Sequence, residues 1–165
     1  MNDERISRIA DAVVRGIKSG KDQNDPSKLS LKRAKALIAK IEEKATEMGL
    51  KVVVAVSNEA ARPMAVECMD DAYIASYDVA LNKAFTVVAL KMSTKTLSTL
   101  AAPGGSLYGI QNTNNGKIVI FGGGDPLVYN GNIIGGLGVS GGSEEQDTAL
   151  SAYGASIIDD IMKNF

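Results

Sequence analysis

The stretch GLGVSG, Gly136–Gly141, fits the pattern G-x-G-x-x-G, and its reading decides the fold. In a dinucleotide-binding fold the glycines follow one strand and open a helix. A second parallel strand then brings an acidic residue about 20 positions on. Here a strand and a helix flank the motif, but the acids downstream, Asp159 and Asp160, fall on that same helix. The stretch therefore does not read as a dinucleotide fingerprint. Gly135, Gly136 and Gly138 fall inside the strand, where glycine marks close backbone approach or a bend. Ser143 and Gln146 then form a capping box for the last helix. Its N-terminal dipole would suit an anion, but Glu144 and Glu145 already occupy the first turn.

Upstream, Asn130-Gly131 joins two β runs, Pro126–Tyr129 and Asn132–Ser140, and is a strong hairpin signal. IVIFGGG, Ile118–Gly124, reads as a strand running into glycines. Leu50–Ser57 is β-branched and short, a strand buried on both faces, with Met64–Met69 as its hairpin partner across NEAARP. Between them lies a helix capped by Asp70 or Asp71, with Ile74, Tyr77, Leu81, Phe85 and Val88 as its core face. STKTLSTLA adds a short helix, and PGGSLYGIQNTNNGK a polar loop. LSLKRAKALIAKIEEKATEMG is an amphipathic helix with Ser30 as N-cap and Gly49 just past its end. In the last helix Leu150, Tyr153, Gly154, Ile157, Ile158 and Ile161 face the core. Hairpins dominate, so the fold class is α+β, an antiparallel sheet flanked by helices.

Three segments organise the chain. Residues 1–18 form an amphipathic helix whose stripe includes Ile6, Ile9, Val13, Val14 and Ile17. Residues 19–28 are a polar linker with Gly20 and Pro26, and residues 29–165 are one domain.

Composition excludes several functions. There is no histidine, which removes Ser-His-Asp and Cys-His catalysis and every His-containing metal site. With 18 basic and 19 acidic residues, nothing points to nucleic acid. No apolar run reaches the roughly 20 residues of a membrane span. The single cysteine, Cys68, reads as a buried strand thiol in an intracellular, cytoplasmic protein.

The candidate ligand-binding residues are Asp70, Lys83, Gly122, Gly123, Gly124, Ser143 and Asp147. Lys83 sits beside an apolar helical stripe and reads either as a partly buried lysine that binds a carboxylate or as a snorkelling one. FGGGDP, Phe121–Pro126, reads either as a wall for a flat ligand or as a turn. Asp70, Ser143 and Asp147 have capping and solvation as their plainer readings. No carboxylate pair has acid–base spacing, so no catalytic or metal residue is assigned.

GGLGVSGGSEEQDTALSAYGASII, VALNKAFTVVALKMST and FGGGDPLVYNGNIIG together resemble the GlcG/HbpS-like family, which includes the C-terminal domain of the PduO cobalamin adenosyltransferase. The resemblance runs from about Leu29 to Ile161. It implies a profilin-like fold, ring or stacked homo-oligomers, and haem binding in some members. Other members accompany propanediol or glycerol utilisation. The chain departs from the family in two ways: haem-binding relatives use a histidine, and Asn58 stands at a usually acidic position. The 1–18 segment resembles encapsulation peptides of bacterial microcompartment cargo, the alternative being a helix packed on its own oligomer. The expected function is therefore a non-catalytic small-ligand, haem- or corrinoid-like, binding or assembly protein. It would be a cytoplasmic homo-oligomer with a microcompartment shell or cargo protein as its partner. The alternatives are a small enzyme acting on a tetrapyrrole or small carbonyl substrate, and a purely structural oligomer.

Overall fold

The computed structural model describes residues 6–7 and 25–165. The stripe on residues 1–18 lies outside them except for Ile6, which is helical and exposed. Helix α1, Leu31–Glu47, starts where the Ser30 hydroxyl accepts from Arg33 N at 3.2 Å. It ends through Gly49, at φ +71°, a conformation that costs glycine little. Arg33 fastens the entry to the domain. Its guanidinium donates to the carbonyls of Lys28 (2.7 Å) and Met162 (2.9 Å), near the two ends of the domain.

Strand β1, Val53–Asn58, is followed by β2, Pro63–Cys68, then α2, Ser76–Leu90, and α3, Thr94–Ala101. Two single 3₁₀ turns lead to β3, Gly124–Tyr129, and β4, Asn132–Ser140. Helices α4, Glu144–Ser156, and α5, Ile158–Asn164, follow. Among the described residues the strands form one antiparallel sheet in the order β2-β1-β4-β3. Asn130 (φ +49°) and Gly131 (φ +76°) make the β3–β4 hairpin turn, the primed geometry that matches strand twist.

The pleat divides the core in two. Val54, Val56, Leu137 and Val139 face Leu37, Ile38 and Ile41 of α1 and Leu150, Ile158 and Ile161 of α4 and α5. On the other face Val53 and Ala55 meet Ala80 and Ala84 of α2. There β4 contributes Gly136 and Gly138 and, at its end, Ser140, whose hydroxyl lies 3.1 Å from that of Ser76. A Cβ on Gly138 would collide with the Ala80 carbonyl, and one on Gly136 with the Ala84 carbonyl. Gly-X-Gly in β4 thus lets α2 lie directly on the sheet. The α+β sheet flanked by helices expected from the sequence is the observed fold.

Five local expectations are corrected. Helix α2 buries Ala80, Lys83, Ala84 and Val87, not the stripe Ile74, Tyr77, Leu81, Phe85 and Val88. The backbone of Ala80 and Ala84 sits against the β4 glycines, so the front of the stripe turns outward, with Ile74 96% exposed, while Leu81, Phe85 and Val88 stay half-buried. Neither Asp70 nor Asp71 caps α2. Asp71 takes φ +67°, and the helix begins at Ser76 without a side-chain cap. Ile118–Phe121 is not a strand, because Val119 N donates to Thr86 Oγ1 at 3.0 Å instead of to a ladder. Cys68 is exposed, since β2 is a sheet edge. The last helix breaks at Ile157 (φ −95°, ψ 4°) into α4 and α5.

Candidate functional site

The glycine loop before β3 meets the start of α4 at Lys83. That lysine is fully buried, and its Nζ donates to Asp147 Oδ2 (2.9 Å) and the Val139 carbonyl (2.7 Å). The Phe121 ring centroid lies 4.9 Å from the ammonium, within cation–π range. Asp147 Oδ1 also accepts from Gly142 N at 2.9 Å. Burial pulls the Lys83 pKa down and pushes that of Asp147 up, and the attraction between the two opposes both shifts.

The glycines are required by this clamp. A Cβ on Gly123 would lie 2.5 Å from Lys83 Nζ and 2.7 Å from Asp147 Cβ, and its φ is +107°. Gly122 N donates to Glu144 Oε1 at 3.1 Å, and Lys95 Nζ reaches the same oxygen at 3.0 Å. The Gly122 N–H bond and Lys95 hold the Glu144 carboxyl below its usual range. Gly124 N donates to Thr94 Oγ1 at 2.9 Å. The capping box is formed: Ser143 Oγ accepts from Gln146 N, and Gln146 Oε1 accepts from Ser143 N.

Lys83, Gly122, Gly123, Gly124, Ser143 and Asp147 therefore converge on one junction. Asp70 does not join them; it borders a separate groove with Glu42, Glu43 and Cys68. Within the junction Lys83 and Asp147 use their polar atoms on each other and on backbone, and Ser143 uses its hydroxyl as a cap. Lys83 is thus neither a snorkelling lysine nor open to an outside molecule.

An open groove of about 280 Å³ lies elsewhere, between the β1–β2 turn and α2. Arg62 and Lys117 border it, and half-buried Leu81 and Phe85 with Pro63 supply apolar wall. Lys117 Nζ stands 5.8 Å from the Phe85 ring centroid. Sequence reading missed this groove. Arg62 lay in an apparent turn, Lys117 in a loop, and Phe85 was assigned to the core; the three are far apart in the chain and share no motif. A helical stripe of large apolar residues beside a run of small ones was the available signal.

Fold and junction define a small α+β domain with α2 laid on a glycine strand and an internal lysine clamp. The chain belongs to the HbpS-like family: the model for "Haem degrading protein HbpS-like" matches residues 29–156. It is 43% identical over 123 residues to a 15.0 kDa protein of the dhaT-dhaS intergenic region of Citrobacter freundii, covering 74% of this chain and 87% of that one. It is 33% identical to the corrinoid adenosyltransferase PduO of the same organism, over 88% of this chain but only 44% of that protein. The chain thus spans less than half of that enzyme. Among solved structures, Klebsiella pneumoniae protein ORFY aligns with TM-score 0.77 and 38% identity, over 83% of this chain and 92% of that one. The PduOC:heme complex aligns with TM-score 0.75 and 37% identity, over 78% and 94%.

Proposed function

We propose that this chain is a non-catalytic binding protein for a flat tetrapyrrole of the haem or corrinoid type, working as a homo-oligomer. The observation that carries the reading is the apolar-walled groove at Phe85 and Leu81, on a fold shared with a haem-complexed relative. The Phe85 and Leu81 wall suits contact with one edge of a macrocycle. The residues do not fit an imidazole-ligated haem, because the chain has no histidine. A groove of about 280 Å³ is at the small end for a ligand pocket and covers only one edge of a macrocycle. A second subunit would cover the rest. Against catalysis stands Lys83: the buried base at the junction is bonded on the inside of the protein.

Tyr73 (72% exposed), Ile74 (96%) and Tyr77 (46%) form an outward apolar patch at the start of α2, the kind of surface that marks an interface. Ile74→Asp is expected to leave the fold intact and to reduce the oligomer to smaller species in analytical ultracentrifugation. Unchanged sedimentation would remove this patch from the subunit contact.

Residues 1–18 serve in this reading as an address for a microcompartment shell or cargo partner. Among the described residues no helix is long and apolar enough to cross a membrane. The test is an absorbance titration with haemin and with cobalamin, on the full chain and on a chain lacking residues 1–18. Saturable binding by both proteins, with only the full chain co-localising with shells, supports the reading. Absence of saturable binding by either ligand rejects the binding role, and shell co-localisation of the shortened chain rejects the address.

A further inference from the structure

We infer that the Arg62–Lys117 groove recognises the carboxylate groups of its ligand, so that it selects a haem-type tetrapyrrole with free acid side chains over a corrinoid whose peripheral acids are amides. The inference rests on the tetrapyrrole reading above.

Both cations are held in place by their backbones. Asn58 Oδ1 accepts from Ala60 N (3.0 Å) and Arg62 N (2.9 Å), and Asn58 N donates to the Arg62 carbonyl (2.9 Å). Ala61, at φ +57°, completes that tight turn. On the opposite wall the Lys117 carbonyl accepts from Thr86 Oγ1 at 3.3 Å, and its ammonium stands over Phe85.

Neither cation belongs to any ion pair among the described residues, and no carboxylate lines the groove. Other described cations are unpaired too; what sets Arg62 and Lys117 apart is that they border the same apolar-walled groove. Two unmatched positive charges beside an aromatic and aliphatic wall suit a ligand with a flat apolar body and anionic ends. Arginine forms a two-pronged hydrogen bond with a carboxylate, and lysine supplies a point charge. The amide of Asn82, also in the lining, adds a neutral donor. A corrinoid with amidated side chains would leave both cations without counter-charge and lose the gain of charge-assisted bonding.

The experiment titrates haemin and haemin dimethyl ester, delivered from the same co-solvent, into the wild-type chain, Arg62→Gln, Lys117→Gln and the double variant. Both side chains are exposed, so the variants should fold, and a thermal melt checks this. The wild type is expected to bind the diacid about ten-fold more tightly than the ester, the effect of one net charge-assisted contact. The double variant loses that preference while its affinity for the ester is unchanged. If the wild type binds diacid and ester equally, or the double variant keeps the preference, the carboxylate site is wrong and the tetrapyrrole reading stands. If the wild type binds neither haemin form, the carboxylate site is wrong, and the cobalamin titration above decides the tetrapyrrole reading.

Discussion

Lys83→Met is expected to destabilise the protein by about 3–5 kcal/mol, the typical loss when one partner of a buried ion pair is removed. The substitution keeps most of the volume but strands three groups. Asp147, only 4% exposed, keeps a charge with no cation beside it. The Val139 carbonyl loses its 2.7 Å donor, and Phe121 loses the ammonium against its ring. Urea denaturation followed by far-UV circular dichroism measures the loss. The double change Lys83→Met with Asp147→Leu is expected to recover part of it, because two apolar side chains leave no unpaired charge. The same variants separate a scaffold role from a ligand role. If Lys83→Met stays as stable as wild type but no longer binds haemin, the junction itself is the ligand site. The expected result is the reverse: lower stability, and unchanged affinity in the fraction that remains folded.

Gly138→Ala is expected to cost about 3 kcal/mol, the upper end of the usual range for overpacking. Its Cβ would run into the Ala80 carbonyl and lie 2.8 Å from Ala84 N. Both are backbone atoms of α2, so no side-chain rotation can relieve the clash, and the helix must lift from the sheet. Gly131→Ala is the control. Gly131 has a positive φ, which Gly138 does not, and nothing lies within 4 Å of its Cβ position. It should lose only about 1 kcal/mol of backbone strain. Equal losses for the two variants would mean that the β4 glycines serve strand conformation and not contact with α2.

The glycine result also shows what the sequence makes legible. Local signals were readable where the cause is local. Ser30 and Ser143 cap helices through atoms within three residues, and Asn130-Gly131 sets a hairpin by its own dihedrals. The close approach at Gly136 and Gly138 was readable because a glycine inside a strand has few other uses. The consequence for α2 was not. Helical periodicity reports an apolar stripe but not which of two stripes meets the sheet. The choice of Ala80, Ala84 and Val87 over Ile74, Tyr77 and Phe85 is made by β4, some 50 residues away in the chain. The Lys83–Asp147 contact spans 64 positions and crosses two elements, so spacing could place both residues on helices but could not pair them. The Arg62–Lys117 groove was still less visible, since its charges come from a turn and a loop with no pattern of their own.

The measurement that bears most directly on the proposed function is native mass spectrometry of the full chain with equimolar haemin. The prediction is a homo-oligomer that carries one haem for each subunit, with the Ile74→Asp variant appearing as smaller species. Monomers that carry no haem would contradict both the haem-binding role and the assembly it depends on.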